Sequence, residues 1–181
     1  MSKVLLISGS PRKGNTEYVL TQIKTLLEMA GHKADLVLLR KIKIKQCLGC
    51  SVCQQGLPCQ IADDDMARIN KKLRESHYLI IGTPTYFDMV SALLKKWMDR
   101  TNPFYYSKEL KGKAGSIISI GAAGRQSIGR AAENIKHFFE IFKIRTGEII
   151  LFEAEYLDEV EKNPAYNRRI KQFAEKIIAG L

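Results

Sequence analysis

Outside one window of thirteen residues the chain has no cysteine at all, which confines any thiol chemistry to Cys47–Cys59. No apolar run approaches the ~20 residues needed to cross a bilayer, so a helical membrane span is not expected. A cleavable leader is not expected, since Met1-Ser-Lys runs straight into Val4-Leu-Leu-Ile. These absences predict a cytoplasmic protein without membrane contact, where thiols are normally kept reduced. The basic residues form no single long stripe. They are scattered through Arg40–Lys45, Arg68–Arg74, Lys108–Lys113 and Arg168–Lys171, so the formal charge of +10 reads as a solvated surface or one suited to an acidic partner, not as a nucleic-acid interface. Internal repeats, linkers and low-complexity tracts are missing too, and the 181 residues are expected to form a single domain, 1–181, with a cysteine-rich insertion at about 43–62. No Ser–His–Asp or Cys–His set can be assembled; His32, His77 and His137 fall in helix or helix-end contexts and read as structural or surface residues.

What is present alternates regularly. Apolar runs at Val4–Ser8, Ala34–Leu39, Tyr78–Gly82, Gly115–Ile120 and Glu148–Phe152 read as strands. Between and after them, helical periodicity covers Thr16–Ala30, a stretch from Asp64 or Asp65 to about Ser76, Ser91–Thr101, Gln126–Phe142 and Asn163–Ala179. Gly31 stands where the first helix would be capped. Five strands apolar on both faces, each followed by a helix, predict an α/β fold with a parallel sheet covered on two sides. Right-handed crossovers and five strands favour the flavodoxin-like order 2-1-3-4-5.

The loop Ser8-Gly9-Ser10-Pro11-Arg12-Lys13-Gly14-Asn15-Thr16 joins the first strand to the first helix. Close glycine backbone, hydroxyl and amide side chains and a helix N-terminus together make a phosphate cradle. Its spacing nearly spells the nucleotide P-loop, but Asn15 stands where that motif has the lysine that reaches the outer phosphates, and the dinucleotide pattern G-x-G-x-x-G is absent as well. A terminal monophosphate fits better than a triphosphate; a simple helix cap by Asn15 or Thr16 is the plainer alternative. Two further loops fall at the same sheet edge, Thr83-Pro84-Thr85-Tyr86-Phe87-Asp88-Met89 and Gly121-Ala-Ala-Gly124. Doubly wound sheets bind ligands beyond the carboxyl ends of their strands, and a flat ring placed there would meet the 84–87 loop and the backbone of Gly121 and Gly124.

The cysteines follow the pattern C-x2-C-x2-C-x5-C. Structural zinc sites usually come as two knuckles separated by a longer loop, whereas three cysteines at successive two-residue gaps wrap a larger object, as in bacterial ferredoxin runs. A cluster is favoured on that ground; zinc and free thiols stay open. Leu48, Val52, Leu57 and Ile61 could shield such a centre or serve as ordinary packing.

The segments Gly9-Ser-Pro-Arg-Lys-Gly-Asn-Thr16, the cysteine run followed by Asp63-Asp-Asp-Met66, and Gly82-Thr-Pro-Thr-Tyr-Phe87 resemble those of the iron–sulfur flavoproteins, a branch of the NADPH-dependent FMN reductase-like family. The resemblance implies a flavodoxin-like oxidoreductase whose FMN phosphate is held by Ser10, Arg12, Asn15 and Thr16, within the loop that also carries Lys13 and Gly14. It implies that Pro84, Thr85, Tyr86 and Phe87 line the flavin ring, and that Cys47, Cys50, Cys53 and Cys59 ligate a 4Fe–4S cluster. It further implies a ferredoxin-like electron carrier or NAD(P)H as donor, a small-molecule acceptor, and self-association into a homodimer or homotetramer. A cluster-free NAD(P)H-dependent flavin or quinone reductase, a flavodoxin-like shuttle and a zinc-stapled nucleic-acid protein are the rival readings.

Overall fold

The computed structural model describes residues 1–181. Five parallel strands, β1 (Lys3–Ser8), β2 (Lys33–Leu38), β3 (Tyr78–Pro84), β4 (Ala114–Gly121) and β5 (Arg145–Glu153), lie in the order β2-β1-β3-β4-β5. This is the order expected from the sequence. Strand residues alternate between two cores, as the two-residue period of a strand requires. Leu5, Ile7, Leu79, Ile81 and Ile117 face α2 (Met66–Glu75), α3 (Ala92–Arg100), α4 (Pro103–Ser107) and α5 (Gly124–Ile141), with Trp97 and Phe139 fully buried among them. Val4, Leu6, Ile80, Ile118 and Phe152 face α1 (Asn15–Met29), α6 (Glu159–Lys162) and α7 (Pro164–Ala179). No helix is long and apolar enough to cross a membrane.

The end of α1 is built as its sequence predicts. Gly31 takes a positive φ of 84° and donates to the Glu28 carbonyl, while the His32 N–H reaches back to Leu27 at 3.0 Å, closing a Schellman motif. Ser91 caps α3 by accepting the Leu94 N–H at 3.1 Å, and its hydroxyl also donates to the Gly9 carbonyl, tying the first loop to the third helix.

Three differences from the sequence reading have local causes. β5 begins at Arg145, three residues before Glu148, because the Arg145-Thr-Gly147 stretch continues the ladder opposite Ala114 and Gly115; a side chain at Gly147 would strike the Tyr78 hydroxyl. The short helix α4 starts on Pro103, whose fixed φ suits a first helical turn. The short helix α6 carries only one buried apolar residue, Val160, too little periodicity to be read from sequence.

Candidate functional site

The carboxyl ends of the strands gather the first loop, the 84–86 loop, the start of the 121–124 segment and the chain after β5 around one cavity of about 160 Å³. Nine of the twelve residues expected to contact a flavin line it: Ser10, Arg12, Gly14, Asn15, Thr16, Pro84, Thr85, Tyr86 and Gly121. Lys13, Phe87 and Gly124 do not. Lys13 points into solvent, Phe87 sits fully exposed at a turn tip, and Gly124 opens α5 at a positive φ of 81°.

The head of α1 has no side-chain cap. Its first backbone N–H groups therefore stay available at the positive end of a fifteen-residue helix. Two of the side chains expected to cap it or to donate outward, Ser10 and Asn15, are committed elsewhere. Ser10 is buried and folds back on its own loop, donating to the Arg12 carbonyl at 2.8 Å and accepting the Arg12 N–H at 3.2 Å. Asn15 donates through Nδ2 to the Tyr156 carbonyl at 2.6 Å and accepts the Val160 N–H at 3.1 Å. Asn15 thus fastens the chain after β5 to the start of α1 and is not a free side-chain donor to an anion. The Asn15 contribution to a phosphate would be its backbone N–H.

This last contact exposes what sequence reasoning missed. Ala154, Glu155, Tyr156 and Leu157 form one wall of the cavity, and Leu157 packs so closely on Gly14 that a side chain there would collide. Glu159 organises the wall by accepting the backbone N–H groups of Glu155 and Tyr156. The available signal was topological: β5 ends at the same edge as β1, β3 and β4, so the residues after it had to arrive there.

Beside the cavity, Tyr86 and Met89 exchange both backbone hydrogen bonds, at 3.1 and 3.0 Å, across a two-residue turn. Phe87 and Asp88 both hold positive φ, 50° and 63°, the type I′ geometry that glycine and asparagine ordinarily fill. Hydrogen bonds from Ser127 and Arg130 on α5 hold the Asp88 carboxyl below the usual aspartate range and pin the turn to that helix. From Met89 a groove of about 740 Å³ runs between α3 and α5, past Met98 and Phe138, to Cys47 and Gly49.

The cysteine loop lies at the far end of that groove. Cys47, Cys50, Cys53 and Cys59 all line one hollow of about 100 Å³, together with Leu48, Val52 and Ile61; Leu57 lies outside it. Cys53 is half-buried and the other three are exposed. Positive φ at Gly49, Ser51 and Gly56 winds the chain around the hollow. No three cysteine, histidine or carboxylate groups come together in a way that could hold a metal ion.

The base of the loop is closed firmly. Asp65 accepts the Lys43 N–H at 2.8 Å and Asp64 the Lys45 N–H at 2.9 Å, while Lys45 pairs with Asp63. Arg100, from the end of α3, donates to the Lys45 carbonyl at 2.9 Å, the Ile61 carbonyl at 3.2 Å and Asp64 at 2.6 Å. The Arg100 and Asp64 side chains are 2% and 1% exposed. Burial by itself raises the Asp64 carboxyl, but hydrogen bonds from Arg100 and from the Lys45 and Met66 backbones outweigh it and hold the group below the ordinary range. The aspartates that sequence assigned to capping α2 are thus principally loop anchors: only Asp64 reaches a helix N–H, that of Met66 at 3.0 Å.

A parallel five-stranded sheet in this order, with its cavity beyond the carboxyl ends, defines a flavodoxin-like protein; a solved flavodoxin from the domain Archaea superposes with a TM-score of 0.65 at 14% identity, covering 98% of this chain and 97% of that one. The family described as NADPH-dependent FMN reductase matches residues 2–154. An iron–sulfur flavoprotein of Methanocaldococcus jannaschii is 34% identical over 140 residues, which is 77% of this chain and 72% of the relative. Another, from Archaeoglobus fulgidus, is 38% identical over 99 residues, covering 55% of this chain, which spans about half (48%) of that relative. The chain belongs to the NADPH-dependent FMN reductase family and, within it, to the iron–sulfur flavoproteins. Flavin-dependent redox chemistry is the activity that this membership supports.

Proposed function

We propose that the chain binds FMN at the head of α1 and a 4Fe–4S cluster on Cys47, Cys50, Cys53 and Cys59, and exchanges electrons with a ferredoxin-like carrier on behalf of a small-molecule acceptor. The observation that carries the flavin part is the uncapped helix N-terminus facing a cavity lined by nine expected residues. Backbone N–H groups of Asn15 and Thr16, with Arg12 at the rim, suit a dianionic phosphate. Tyr86 and the turn beyond it would flank the ring, and Asn15 would keep the 155–157 wall closed against it.

The cluster part rests on four soft donors around one hollow and on a buried polar atom without a partner: the Nε of Arg100, a residue that lines the same hollow. The two-residue gaps between the first three cysteines favour a cluster over the paired knuckles of a zinc site. Bound together, the two cofactors would interconvert one-electron and two-electron transfers. The protein's part is to hold them at the two ends of one groove. That groove also offers a second copy of the chain an apolar face, consistent with the self-association the resemblance implies.

Anaerobic purification followed by iron, sulfide and flavin analysis tests the proposal. One FMN and about four irons per chain are expected, with broad absorption near 400 nm beneath the flavin bands. Flavin without iron, together with rapid reduction by NAD(P)H, would establish the cluster-free reductase. A colourless protein that refuses FMN would end the redox assignment.

A further inference from the structure

One wall of the cysteine hollow is supplied by the end of α3 and the turn after it, through Asp99, Arg100, Asn102 and Pro103. Within that wall, Asn102 Nδ2 donates to the Cys53 sulfur at 3.2 Å. Cys53 is the half-buried member of the four, so this sulfur is the one least able to exchange the bond for water. Asn102 is itself held in place. The hydroxyl of Thr101, fully buried, donates to the Met98 carbonyl at 2.6 Å. The Asn102 carbonyl accepts the Tyr105 N–H at 3.0 Å, and Pro103 follows directly.

We propose that Asn102 is a positioning residue that sets the redox potential of the centre held by the four cysteines, acting through its N–H···S bond to Cys53. The inference rests on the cluster reading above. An amide N–H directed at a thiolate stabilises negative charge on sulfur. One-electron reduction adds a unit of negative charge that the thiolate ligands share. The bond is therefore stronger in the reduced state, and its presence raises the potential. Arg100, though it also lines the hollow, differs from Asn102 in this respect: its charge is offset by Asp64, and none of its hydrogen bonds goes to a sulfur.

The test uses anaerobic holoprotein, wild type beside Asn102→Leu, Asn102→Asp and Asn102→Ser. Each is titrated with dithionite in the presence of mediators, with cluster reduction followed by electron paramagnetic resonance and FMN by absorbance. At the wild-type midpoint, the reduced-to-oxidised ratio in Asn102→Leu should fall by up to roughly tenfold (59 mV for a one-electron couple). Asn102→Asp, with an added negative charge beside the sulfur, should fall further, and Asn102→Ser, which keeps a donor, should recover part of the loss. Iron content and the FMN midpoint should not move. An unchanged cluster midpoint in an iron-replete Asn102→Leu overturns the proposal alone. If that variant cannot retain iron, the near-isosteric Asn102→Asp decides, and a wild-type midpoint there overturns it equally. A wild type that holds flavin but takes up no iron overturns the cluster reading and this proposal with it.

Discussion

The proposed flavin edge, whose 86–89 turn borders one mouth of the groove, and the cysteine loop at its other mouth are organised by different means. Every loop of the flavin edge continues the sheet's own hydrogen bonding: Gly9 donates to Gly82 at 2.8 Å, Thr85 to Ile120 at 2.8 Å and Ala154 to Gly121 at 2.9 Å. The cysteine loop has strong bonds only at its base. Between residues 46 and 60 the internal backbone bonds are Gln54 to Ser51 and Gly56 to Cys53. The proposed flavin site is a product of the fold. The cysteine loop is closed at its base with few bonds inside, and its interior is expected to gain order if the sulfurs take up the proposed cluster, as in sites where metal binding is part of folding. The two should therefore separate under perturbation.

The largest separation is expected from the sulfurs themselves. Cys53→Ala should take iron from about four per chain to near none, while FMN stoichiometry stays at one, both read from anaerobic protein by metal analysis and absorbance. Iron loading of the wild type should also protect the 46–60 segment from limited proteolysis. FMN loading should not; equal protection by either cofactor would erase the distinction between the regions.

Next in size is the lock at the base of the loop. Asp64→Asn leaves Arg100 buried without its counter-ion, a change that costs about 3–5 kcal/mol, or roughly 10 °C in Tm for a chain of this length. The pH dependence has a definite sign. The folded-state carboxyl of Asp64 lies below the ordinary range, so its stabilising contribution is complete above the unfolded value of about 3.9 and disappears as pH falls through the lower folded value. The Tm gap between wild type and Asp64→Asn, measured on cofactor-free protein, should be constant near neutrality and close in acid below about pH 4.

The contrast also explains what could be read from sequence. The strand order and the arrival of the 9–16 and 84–86 loops at one sheet edge were legible because short apolar runs, glycines and helix periodicity are local signals set by the backbone. The grouping of the cysteines was legible because their spacing alone limits how far apart they can lie. Arg100 was not: it reads as an ordinary last-turn cation of α3, and only packing shows it gripping Lys45 and Ile61, thirty-nine or more positions away. Asn15 was read as a site residue, but the partners of its side chain were not legible, because Tyr156 and Val160 lie at the other end of the chain.

That clasp gives a smaller, site-specific effect. Asn15→Ala removes the two hydrogen bonds that tie the start of α1 to Tyr156 and Val160 while leaving the backbone N–H in place. FMN binding should weaken by about tenfold, the equivalent of about 1.4 kcal/mol, with thermal stability of the cofactor-free protein reduced by about 1 kcal/mol. Iron content should be unaffected. Isothermal titration with FMN measures the first, and loss of iron in the same variant would show the two regions to be coupled through the sheet.

The smallest effect concerns the turn between the two regions and runs in the opposite direction. Phe87 spends left-handed backbone conformation on a side chain with no buried contact, a combination that local energetics disfavours. Asparagine is at home in that position of a type I′ turn. Phe87→Asn should therefore raise the stability of the isolated, cofactor-free protein by about 0.5–1 kcal/mol, a shift readable by chemical denaturation. If Phe87 is kept to cover a flavin ring or to meet a partner at the groove mouth, the same variant should bind FMN or self-associate more weakly despite its greater stability. A variant that gains stability and loses neither would show that the exposed ring serves no contact, and that the turn belongs with the rigid flavin edge alone.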